Sequence, residues 1–359
     1  MNIIDKMLTS FLALSEYRIR KEKISMANSK PILVSCPRFW SQVRGHKLSE
    51  RFITYMSLNQ DSICDANCRG CFRYPERKTG LKDLLSMPDY FRLLDEFARF
   101  GGLALEISGE GEPMLSKNTL PIIRHATSLG LWTTLITNGH SLNIKLLQEL
   151  REMKVALVLS LHSLKKEVYE RDSGILGSFD KKIAVIELAS QIFKGSDWRE
   201  NGRSVRRVAV HWTLQADNLL EIRETRRFCR ERDLLFSIAP LAHTGHAAKT
   251  PELWLPEKIS RIEKTNELGD ESIIFYDEAN GRQVCGTCKY GLNIGADGNL
   301  LLDAHGGYEV ELANIRDISF KKAVELQHIF SKKMFKKLDY FCPVRDPKWQ
   351  GFLNDKEFL

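Results

Sequence analysis

Cys64, Cys68 and Cys71 lie in the run Cys-Asp-Ala-Asn-Cys-Arg-Gly-Cys, which spaces three thiols as C-x3-C-x2-C. A [4Fe–4S] cluster takes four cysteine ligands, one for each iron. Three close thiolates supply three of these ligands and leave one iron with an open coordination position. An open position is the property that distinguishes a catalytic metal site from a closed structural one. The spacing therefore predicts a cluster that can bind and activate a further molecule.

A zinc site, or three unrelated buried cysteines, would also account for these residues. Structural zinc sites usually combine a C-x2-C pair with a second pair of ligands. A step of four residues followed by a step of three does not fit that pattern. The residue spacing favours the iron–sulfur interpretation.

The cysteine loop resembles the signature motif of the radical S-adenosylmethionine (SAM) superfamily. The resemblance implies that the open iron chelates the amino and carboxylate groups of SAM. One electron from the cluster, supplied by a low-potential donor such as flavodoxin or ferredoxin, then cleaves SAM to methionine and a 5′-deoxyadenosyl radical. Many members carry an aromatic residue just before the third cysteine, near the adenine. Gly70 stands at that position here, and Phe72 is expected to fill the space.

A glycine-rich segment after the second predicted strand resembles the Gly-Gly-Glu-Pro segment of the superfamily, in its Gly-x-Gly-Glu-Pro variant. Glycines let a backbone approach a ligand closely, and the resemblance implies that backbone carbonyls and the carboxylate of Glu112 accept hydrogen bonds from the SAM ammonium group. A glycine-acid-proline turn is also a common loop. The segment consists of Ser108, Gly109, Glu110, Gly111, Glu112 and Pro113. The extra acid, Glu110, has no assigned role.

Further polar residues follow the next predicted strands. Asn138 belongs to a Thr-Asn-Gly turn that is frequent in the superfamily, although Asn-Gly is also a generic turn. Ser160 ends the fourth strand, where relatives commonly place a serine that touches the ribose or carboxylate of SAM. His162 is a candidate SAM or substrate contact, while a histidine at a strand end is more often a structural hydrogen-bonding group. His211 is expected at the same barrel mouth.

A second cysteine region resembles the SPASM/twitch region of radical SAM enzymes, which binds an auxiliary [4Fe–4S] cluster. In that pattern, C-x9–15-G-x4-C, Cys288 and Gly298 lead to position 303, which is aspartate here. The implied metal ligands are Cys285, Cys288, Asp303 and Cys342. Four interpretations remain open: Asp303 is an oxygen ligand, one iron is open, the metal is zinc, or the region holds no metal. The Asp297-Gly298 dipeptide between apolar runs independently predicts a β-hairpin.

Short apolar runs alternate with longer amphipathic ones from residue 51 onward, which predicts strands alternating with helices and a parallel sheet covered by helices. The predicted strands are Phe52–Leu58, Leu103–Ser108, Trp132–Thr137, Val155–Leu161, Val205–Leu214 and Leu234–Ala239, and the predicted helices cover 88–100, 117–129, 141–153, 179–194 and 218–231. The fold class is therefore α/β: a partial (β/α)6 TIM-like barrel with a small α+β, twitch-like C-terminal domain. Chemistry on such a barrel belongs at the C-terminal ends of the strands.

Three domains are expected: an N-terminal helical segment at 1–48, the radical SAM partial barrel at 49–245, and the twitch-like auxiliary domain at 246–359. The N-terminal segment includes an amphipathic helix at 2–23. It is shorter than the winged-helix module with which some peptide-modifying relatives bind a leader peptide. This length favours a small-molecule substrate over a peptide.

Composition restricts the class of protein. The net charge is +7, and the hydrophobic fraction of 43% is ordinary for a globular enzyme. No signal peptide or membrane span is expected, and two tight cysteine clusters suit metal binding in a reducing cytoplasm. Basic runs such as 203–207 are usually solvated faces. No nucleic-acid module is present, so a nucleic-acid partner is not expected.

Taken together, the resemblance implies a radical SAM oxidoreductase, similar to dehydrogenases of the family, that abstracts hydrogen from a small polar metabolite of sugar or aminocyclitol type. A radical SAM peptide maturase and a redox-neutral epimerase or eliminase are the alternatives within the family. A non-catalytic iron–sulfur or zinc protein is the alternative outside it. Formation of 5′-deoxyadenosine from SAM and a strong reductant separates this last alternative from the others.

Overall fold

The structure is a computed structural model of the 359-residue chain. The structure describes residues 53, 55–72, 83–200, 203–255, 274–277, 282–285, 291–302 and 311–337. The predicted helix at 2–23 and the whole of the 1–48 segment lie outside the described residues.

The strands occur in the predicted order, with additional short strands that the sequence pattern did not indicate. Numbered in chain order, the strands are β1 (Tyr55–Leu58), β2 (Ala104–Ile107), β3 (Trp132–Thr137), β4 (Ala156–Ser160), β5 (Trp198–Glu200), β6 (Arg203–Val205), β7 (Val208–Leu214), β8 (Leu235–Pro240), β9 (Ile274–Asp277), β10 (Arg282–Cys285), β11 (Gly291–Ile294), β12 (Asn299–Leu301) and β13 (Glu311–Asn314). Their lengths of three to seven residues are typical of strands in globular domains.

The helices lie between or after these strands, and two of them begin at residues whose side chains cap the helix. They are α1 (Met87–Arg99), α2 (Thr119–Ser128), α3 (Ile144–Glu152), α4 (Lys166–Ser173), α5 (Phe179–Phe193), α6 (Ile222–Glu231), α7 (Gly245–Ala248) and α8 (Phe320–Lys337). Helix α1 starts with a capping box, in which the Ser86 hydroxyl and the Asp89 carboxylate each accept a hydrogen bond from the other residue's backbone N–H. Asn143 caps α3 in a similar way through the backbone N–H of Leu146.

The main sheet has nine strands in the order β13-β12-β11-β1-β2-β3-β4-β7-β8. The strands from β11 to β8 pair in parallel, whereas β11, β12 and β13 pair antiparallel. The Asp297-Gly298 turn joins β11 to β12. Gly298 has a φ of 83°, a conformation that glycine adopts without steric strain. The predicted α/β fold with a partial parallel barrel and C-terminal antiparallel strands is confirmed.

The two faces of the parallel sheet differ in composition. Met56, Leu58, Leu105 and Leu135 belong to the large core cluster between the sheet and its helices. Successive side chains alternate between faces, so Ser57 and its neighbours in register lie on the interior face of the barrel. A small apolar cluster of Val158, Ala209 and Leu235, with Ile136 packed against it, occupies part of that interior face. A row of polar side chains, Ser57, Glu106 and Thr134, lies on the same face.

The prediction of one strand at 205–214 was wrong in its first residues. The chain instead forms a hairpin of β5 and β6, and β7 begins only at Val208. Arg207 separates the two strands: its guanidinium is buried and donates to the carbonyls of Leu150, Arg151 and Val155. At this break the buried Arg207 side chain finds the backbone acceptors that its donors need.

Candidate functional site

The loop that carries the three cysteines follows β1 and is held by backbone hydrogen bonds from two directions. On one side, the carbonyls of Ser173 and Asp172, at the end of α4, accept from Asn67 N and Arg69 N, each at 2.9 Å. On the other side, Ala247 N in α7 donates to the Cys71 carbonyl at 2.9 Å. These bonds fix the loop backbone on both sides of Cys68, as a preformed metal site requires.

A buried carboxylate adds side-chain contacts to the same loop. Asp172 is 2% exposed, and its oxygens accept from Arg69 Nη1 at 3.2 Å, Arg171 Nε at 2.9 Å and Gln215 Nε2 at 2.9 Å. Hydrogen bonds of this kind are charge-assisted and therefore stronger than neutral ones. Asp172 thus joins the cysteine loop to α4 and to the residue that follows β7.

The space next to Gly70 contains part of Gln215. A Cβ atom added to Gly70 would lie 2.6 Å from Gln215 Oε1 and 2.9 Å from Leu241 Cδ1. A larger residue at position 70 would require these side chains to move, because such distances are shorter than van der Waals contact. Phe72 is half-buried. Whether it contacts adenine stays a prediction.

The glycine-rich segment lies directly against the start of the cysteine loop. A Cβ atom at Gly111 would be 2.4 Å from the Ile63 carbonyl oxygen, and one at Gly109 would overlap the side chain of Asn59. Gly109 also has a φ of 126°, which strongly favours glycine. The backbone N–H of Glu112 donates to the Ile63 carbonyl at 2.8 Å. Both glycines are therefore needed for the close approach of the two segments that the sequence predicted to share one site.

Glu112 is 4% exposed, and its carboxylate already has protein partners. Oε1 accepts from Met114 N at 3.1 Å and from the Thr137 hydroxyl, and Oε2 accepts from Asn138 N at 2.7 Å. Burial raises the pKa of this carboxyl group, while these hydrogen bonds lower it. Glu112 connects the glycine-rich segment to the end of β3. Glu110 is also buried, at 2% exposure.

A polar chain extends from the cysteine loop into the protein. Asp65, between the first two cysteines, accepts from Asn138 Nδ2 at 2.6 Å and lies 3.4 Å from His140 Nδ1. His140 Nε2 lies 3.0 Å from the Tyr169 hydroxyl. The hydrogen bond with His140 is the largest cause of the lowered pKa of Asp65. Of these four residues, the sequence analysis selected only Asn138.

Lys182 is the main residue at the site that the sequence analysis missed. It lies on α5, is 1% exposed, and donates from Nζ to the Asn138 carbonyl. Burial lowers its pKa to about 8, although Glu112 and Cys68 oppose the shift by their charge. The residue spacing indicates this burial. Lys182 lies three and four residues before the buried Val185 and Ile186, so the three share one face of the helix.

Ser160 ends β4 as predicted, whereas His211, predicted at a strand end, is the central residue of β7. Ser160 and His211 are in register on neighbouring strands, and His211 Nδ1 lies 3.1 Å from the Ser237 hydroxyl. All three are half-buried. His162 stacks with Tyr169 at a centroid distance of 6.3 Å, and burial lowers its pKa to about 4, so the ring is neutral near pH 7. Contact of these residues with SAM stays a prediction.

The three cysteines of the loop lie near one another, and each is half-buried. The pKa of Cys68 is raised by burial and by the nearby Cys71 and Cys64, and the proximity of Lys182 lowers it. In the part of the chain that the structure describes, no three His, Cys, Asp or Glu side chains are arranged to hold one metal ion. Each cysteine of an iron–sulfur cluster binds its own iron, so cluster ligands do not have to converge on one point.

The second cysteine region falls largely outside the described residues. Cys285 ends β10, and its side chain is not described, while Cys288, Asp303 and Cys342 lie outside the described ranges. The predicted auxiliary site therefore stays a prediction. Among the described residues, no helix is both long enough and apolar enough to cross a membrane.

Comparison with known proteins identifies the segment around the cysteine loop. Residues 62–197 match the family model described as the Radical SAM superfamily. The PqqA peptide cyclase of Rhodopseudomonas palustris is 34% identical over 123 residues, which are 34% of this chain and 32% of that protein. The AdoMet-dependent heme synthase of Methanosarcina barkeri is 26% identical over 192 residues, 53% of this chain and 51% of that protein. The matches thus span a third to a half of these relatives.

A solved structure extends the similarity in fold over nearly the whole chain. The crystal structure of Streptococcus suis SuiB bound to precursor peptide SuiA superposes with a TM-score of 0.59 at 16% identity, and the alignment covers 97% of this chain and 80% of that one. At this identity the match concerns the fold alone.

Proposed function

We propose that this protein, whose residues 62–197 match the Radical SAM superfamily, is a radical SAM enzyme that removes a hydrogen atom from an unreactive C–H bond of a small polar metabolite of sugar or aminocyclitol type. A reduced [4Fe–4S] cluster with bound SAM supplies a 5′-deoxyadenosyl radical for such a reaction. The protein must hold the substrate carbon next to this oxidant and exclude water.

Three side chains are proposed as the cluster ligands and two more as cofactor contacts. Cys64, Cys68 and Cys71 bind the irons through a loop that α4 and α7 hold by backbone hydrogen bonds. The Glu112 carboxylate, which can accept one more hydrogen bond beyond its three protein donors, accepts it from the SAM ammonium group together with carbonyls of the glycine-rich segment, and Ser160 contacts the ribose or carboxylate. The close packing of the glycine-rich segment on the cysteine loop supports this assignment.

The proposal of a polar substrate rests on the polar side chains inside the barrel. Ser57, Glu106 and Asn293 lie side by side in register on three strands, and His211 and Ser237 are hydrogen-bonded neighbours on β7 and β8. A site for an apolar substrate would bury apolar side chains at these positions, because unpaired polar groups are costly there. Hydroxyl and amino groups on the substrate would satisfy them.

The oxidative outcome depends on the second cysteine region. We assign Cys285, Cys288, Asp303 and Cys342 to an auxiliary [4Fe–4S] cluster, which would be able to accept the second electron of a two-electron oxidation. An oxygen ligand at Asp303 is harder than a thiolate and binds iron–sulfur clusters less well. Without a redox-active metal in this region, epimerisation or elimination becomes the better proposal.

Formation of 5′-deoxyadenosine is the first test. Anaerobically reconstituted enzyme, SAM and dithionite should yield 5′-deoxyadenosine and methionine, and a flavodoxin or ferredoxin should replace dithionite as the physiological donor.

Substrate is then sought in an extract of cells grown in deuterated medium, separated by ultrafiltration into small molecules and peptides. Deuterium in 5′-deoxyadenosine from the small-molecule fraction alone supports the proposal. Absence of 5′-deoxyadenosine under all conditions would refute it.

A peptide substrate is the second candidate, because the PqqA peptide cyclase of Rhodopseudomonas palustris is similar to this chain over 123 residues. The same extract distinguishes the two candidates. Deuterium transfer from the peptide fraction alone would replace the metabolite by a peptide and leave the assigned cluster ligands unchanged.

A further inference from the structure

A row of polar side chains crosses four neighbouring parallel strands on the interior face of the sheet. Asn293 on β11, Ser57 on β1, Glu106 on β2 and Thr134 on β3 are partners in register. Adjacent strands are about 4.8 Å apart, so each side chain lies beside the next. All four are buried, with exposures of 1% for Asn293, 2% for Ser57, 7% for Glu106 and 2% for Thr134.

Glu106 is a buried carboxylate with few partners. Its Oε1 accepts from the Ser108 hydroxyl at 2.9 Å, and the Ser108 oxygen lies 3.3 Å from the Ser57 oxygen. Within the described residues no lysine, arginine or histidine forms an ion pair with Glu106. A carboxylate can accept about four hydrogen bonds, and a buried one without a cation or donors is strongly disfavoured. The Glu106 carboxylate can therefore accept further hydrogen bonds, and a bound ligand can supply the donors.

Asn293 provides an independent observation at the other end of the row. Both its Nδ2 and its Oδ1 are buried and have no hydrogen-bond partner in the part of the chain that the structure describes. An apolar side chain at this position would avoid that cost. A buried amide with both ends unsatisfied is expected where a bound molecule completes its hydrogen bonds.

We propose that Ser57, Glu106, Ser108 and Asn293 form a subsite for a protonated amine of the substrate. The assignment rests on the proposed function, since it specifies a group that the substrate carries. An ammonium group offers three donors and a positive charge, which matches the carboxylate, the hydroxyls and the Asn293 carbonyl oxygen. The Asn293 NH2 group then donates to an oxygen of the same ligand, such as a hydroxyl or carbonyl.

The barrel mouth gives a route to this subsite. Ser108 follows Glu106 by two residues and is half-buried, and Ser160 and His211 on later strands are half-buried as well. Ser57 and Glu106 immediately precede the ends of β1 and β2, after which come the cysteine loop and the glycine-rich segment. An amine bound at Glu106 would thus place the rest of the substrate close to both segments.

Equilibrium dialysis with four radiolabelled probes tests the subsite in the full-length, reconstituted enzyme with SAM. The probes are trans-2-aminocyclohexanol, cyclohexane-1,2-diol, N-acetyl-lysine amide and N-acetyl-norleucine amide. At least one amine should bind ten or more times tighter than its neutral counterpart. Preference for the aminocyclohexanol indicates an aminocyclitol-type source, and preference for the lysine amide indicates a peptide side chain. Equal affinity within both pairs would overturn the subsite.

Variants separate a binding role from a structural one. Glu106→Gln should lower the affinity for the amine at least tenfold and leave that for its neutral counterpart unchanged. Asn293→Leu should weaken amine binding while the melting temperature of the ligand-free enzyme stays equal or rises, because an unpaired buried amide is removed. Thr134→Val, in the same row but outside the subsite, is the control and should keep amine affinity. Unchanged amine affinity in Glu106→Gln, or a lower melting temperature in Asn293→Leu, would contradict the proposal.

The two proposals fail in different ways. Wild-type enzyme that prefers the amine but never forms 5′-deoxyadenosine would refute the proposed function and leave the amine subsite in place. Wild-type enzyme that forms 5′-deoxyadenosine but binds amine and neutral probes equally would refute the subsite alone.

Discussion

Replacing Glu112 tests how the glycine-rich segment is held. The carboxylate is buried and accepts hydrogen bonds from Met114 N, Asn138 N and the Thr137 hydroxyl, so it joins two strand ends. Glu112→Gln preserves the shape of the side chain but converts one acceptor oxygen into an NH2 donor. At least one of the three protein donors then faces another donor without an acceptor.

The expected magnitudes follow from these contacts. A buried donor left unsatisfied costs about 1–3 kcal/mol, and this is the expected fall in the free energy of unfolding for Glu112→Gln. Glu112→Ala removes all three hydrogen bonds and should cost about 3–5 kcal/mol, less than three separate losses because deletions within one network are not additive. Glu96→Gln, on the partly exposed face of α1, should stay within about 0.5 kcal/mol of wild type.

Urea unfolding followed by circular dichroism measures these changes, with equal m-values as the condition for comparing them. Calorimetry of SAM binding to the folded Glu112→Gln protein should show about a tenfold loss of affinity or more, since a hydrogen bond to a charged group contributes about 1.5–3 kcal/mol. An unchanged free energy of unfolding would refute the hydrogen-bonding argument. Unchanged SAM affinity would remove Glu112 from the cofactor site.

Three further predictions concern the cysteines and the buried lysine. Cys71→Ala should abolish 5′-deoxyadenosine formation and leave the circular dichroism spectrum of the barrel intact; undiminished SAM cleavage would exclude the cysteine as a cluster ligand. Iron analysis should give about eight irons per chain and about four in a Cys285→Ala/Cys288→Ala variant, whereas four in both would eliminate the auxiliary cluster. Folding lowers the pKa of Lys182 from 10.5 to about 8, so the folded state binds fewer protons between these values and stability rises with pH there. The free energy of unfolding of the wild type, minus that of Lys182→Met, should therefore rise by up to about 3 kcal/mol between pH 8 and pH 10.5. No rise would mean that the Lys182 amine is solvated.

The sequence predicted the barrel strands well because their signal is local. The runs ending at Leu58, Thr137 and Leu214 end strands in the structure as well. Helix α4 was missed, since its sequence is mostly polar and Tyr169 is its one large buried apolar residue. Its contribution, two carbonyls and the Asp172 carboxylate placed against the cysteine loop, depends on tertiary contacts that no local pattern contains.

The residues of the candidate site also divide into those with a local sequence signal and those that only tertiary contacts reveal. Cys64 and Glu112 are found by motif, because ligand spacing and glycine-rich turns leave a local trace. Lys182 follows Asp180 and Lys181, and such a charged run reads as a solvated helix face. Only the packing of α5 against the sheet shows that its ammonium group lies at the Asn138 carbonyl. Glu106, an acid inside an apolar strand, was visible in the sequence and was not selected.

The pairing of β11 with β1 has a consequence for how the protein reaches its native state. Tyr55 pairs with Gly291, more than half the chain away, and the two strands continue the parallel sheet without a break. Until residue 294 has left the ribosome, β1 is an unprotected edge strand that can pair with other chains. Contacts this distant in sequence also form slowly, because loop closure must precede them. The cysteine loop, which directly follows β1, should therefore acquire its cluster late in synthesis, and chains truncated before β11 should aggregate when expressed.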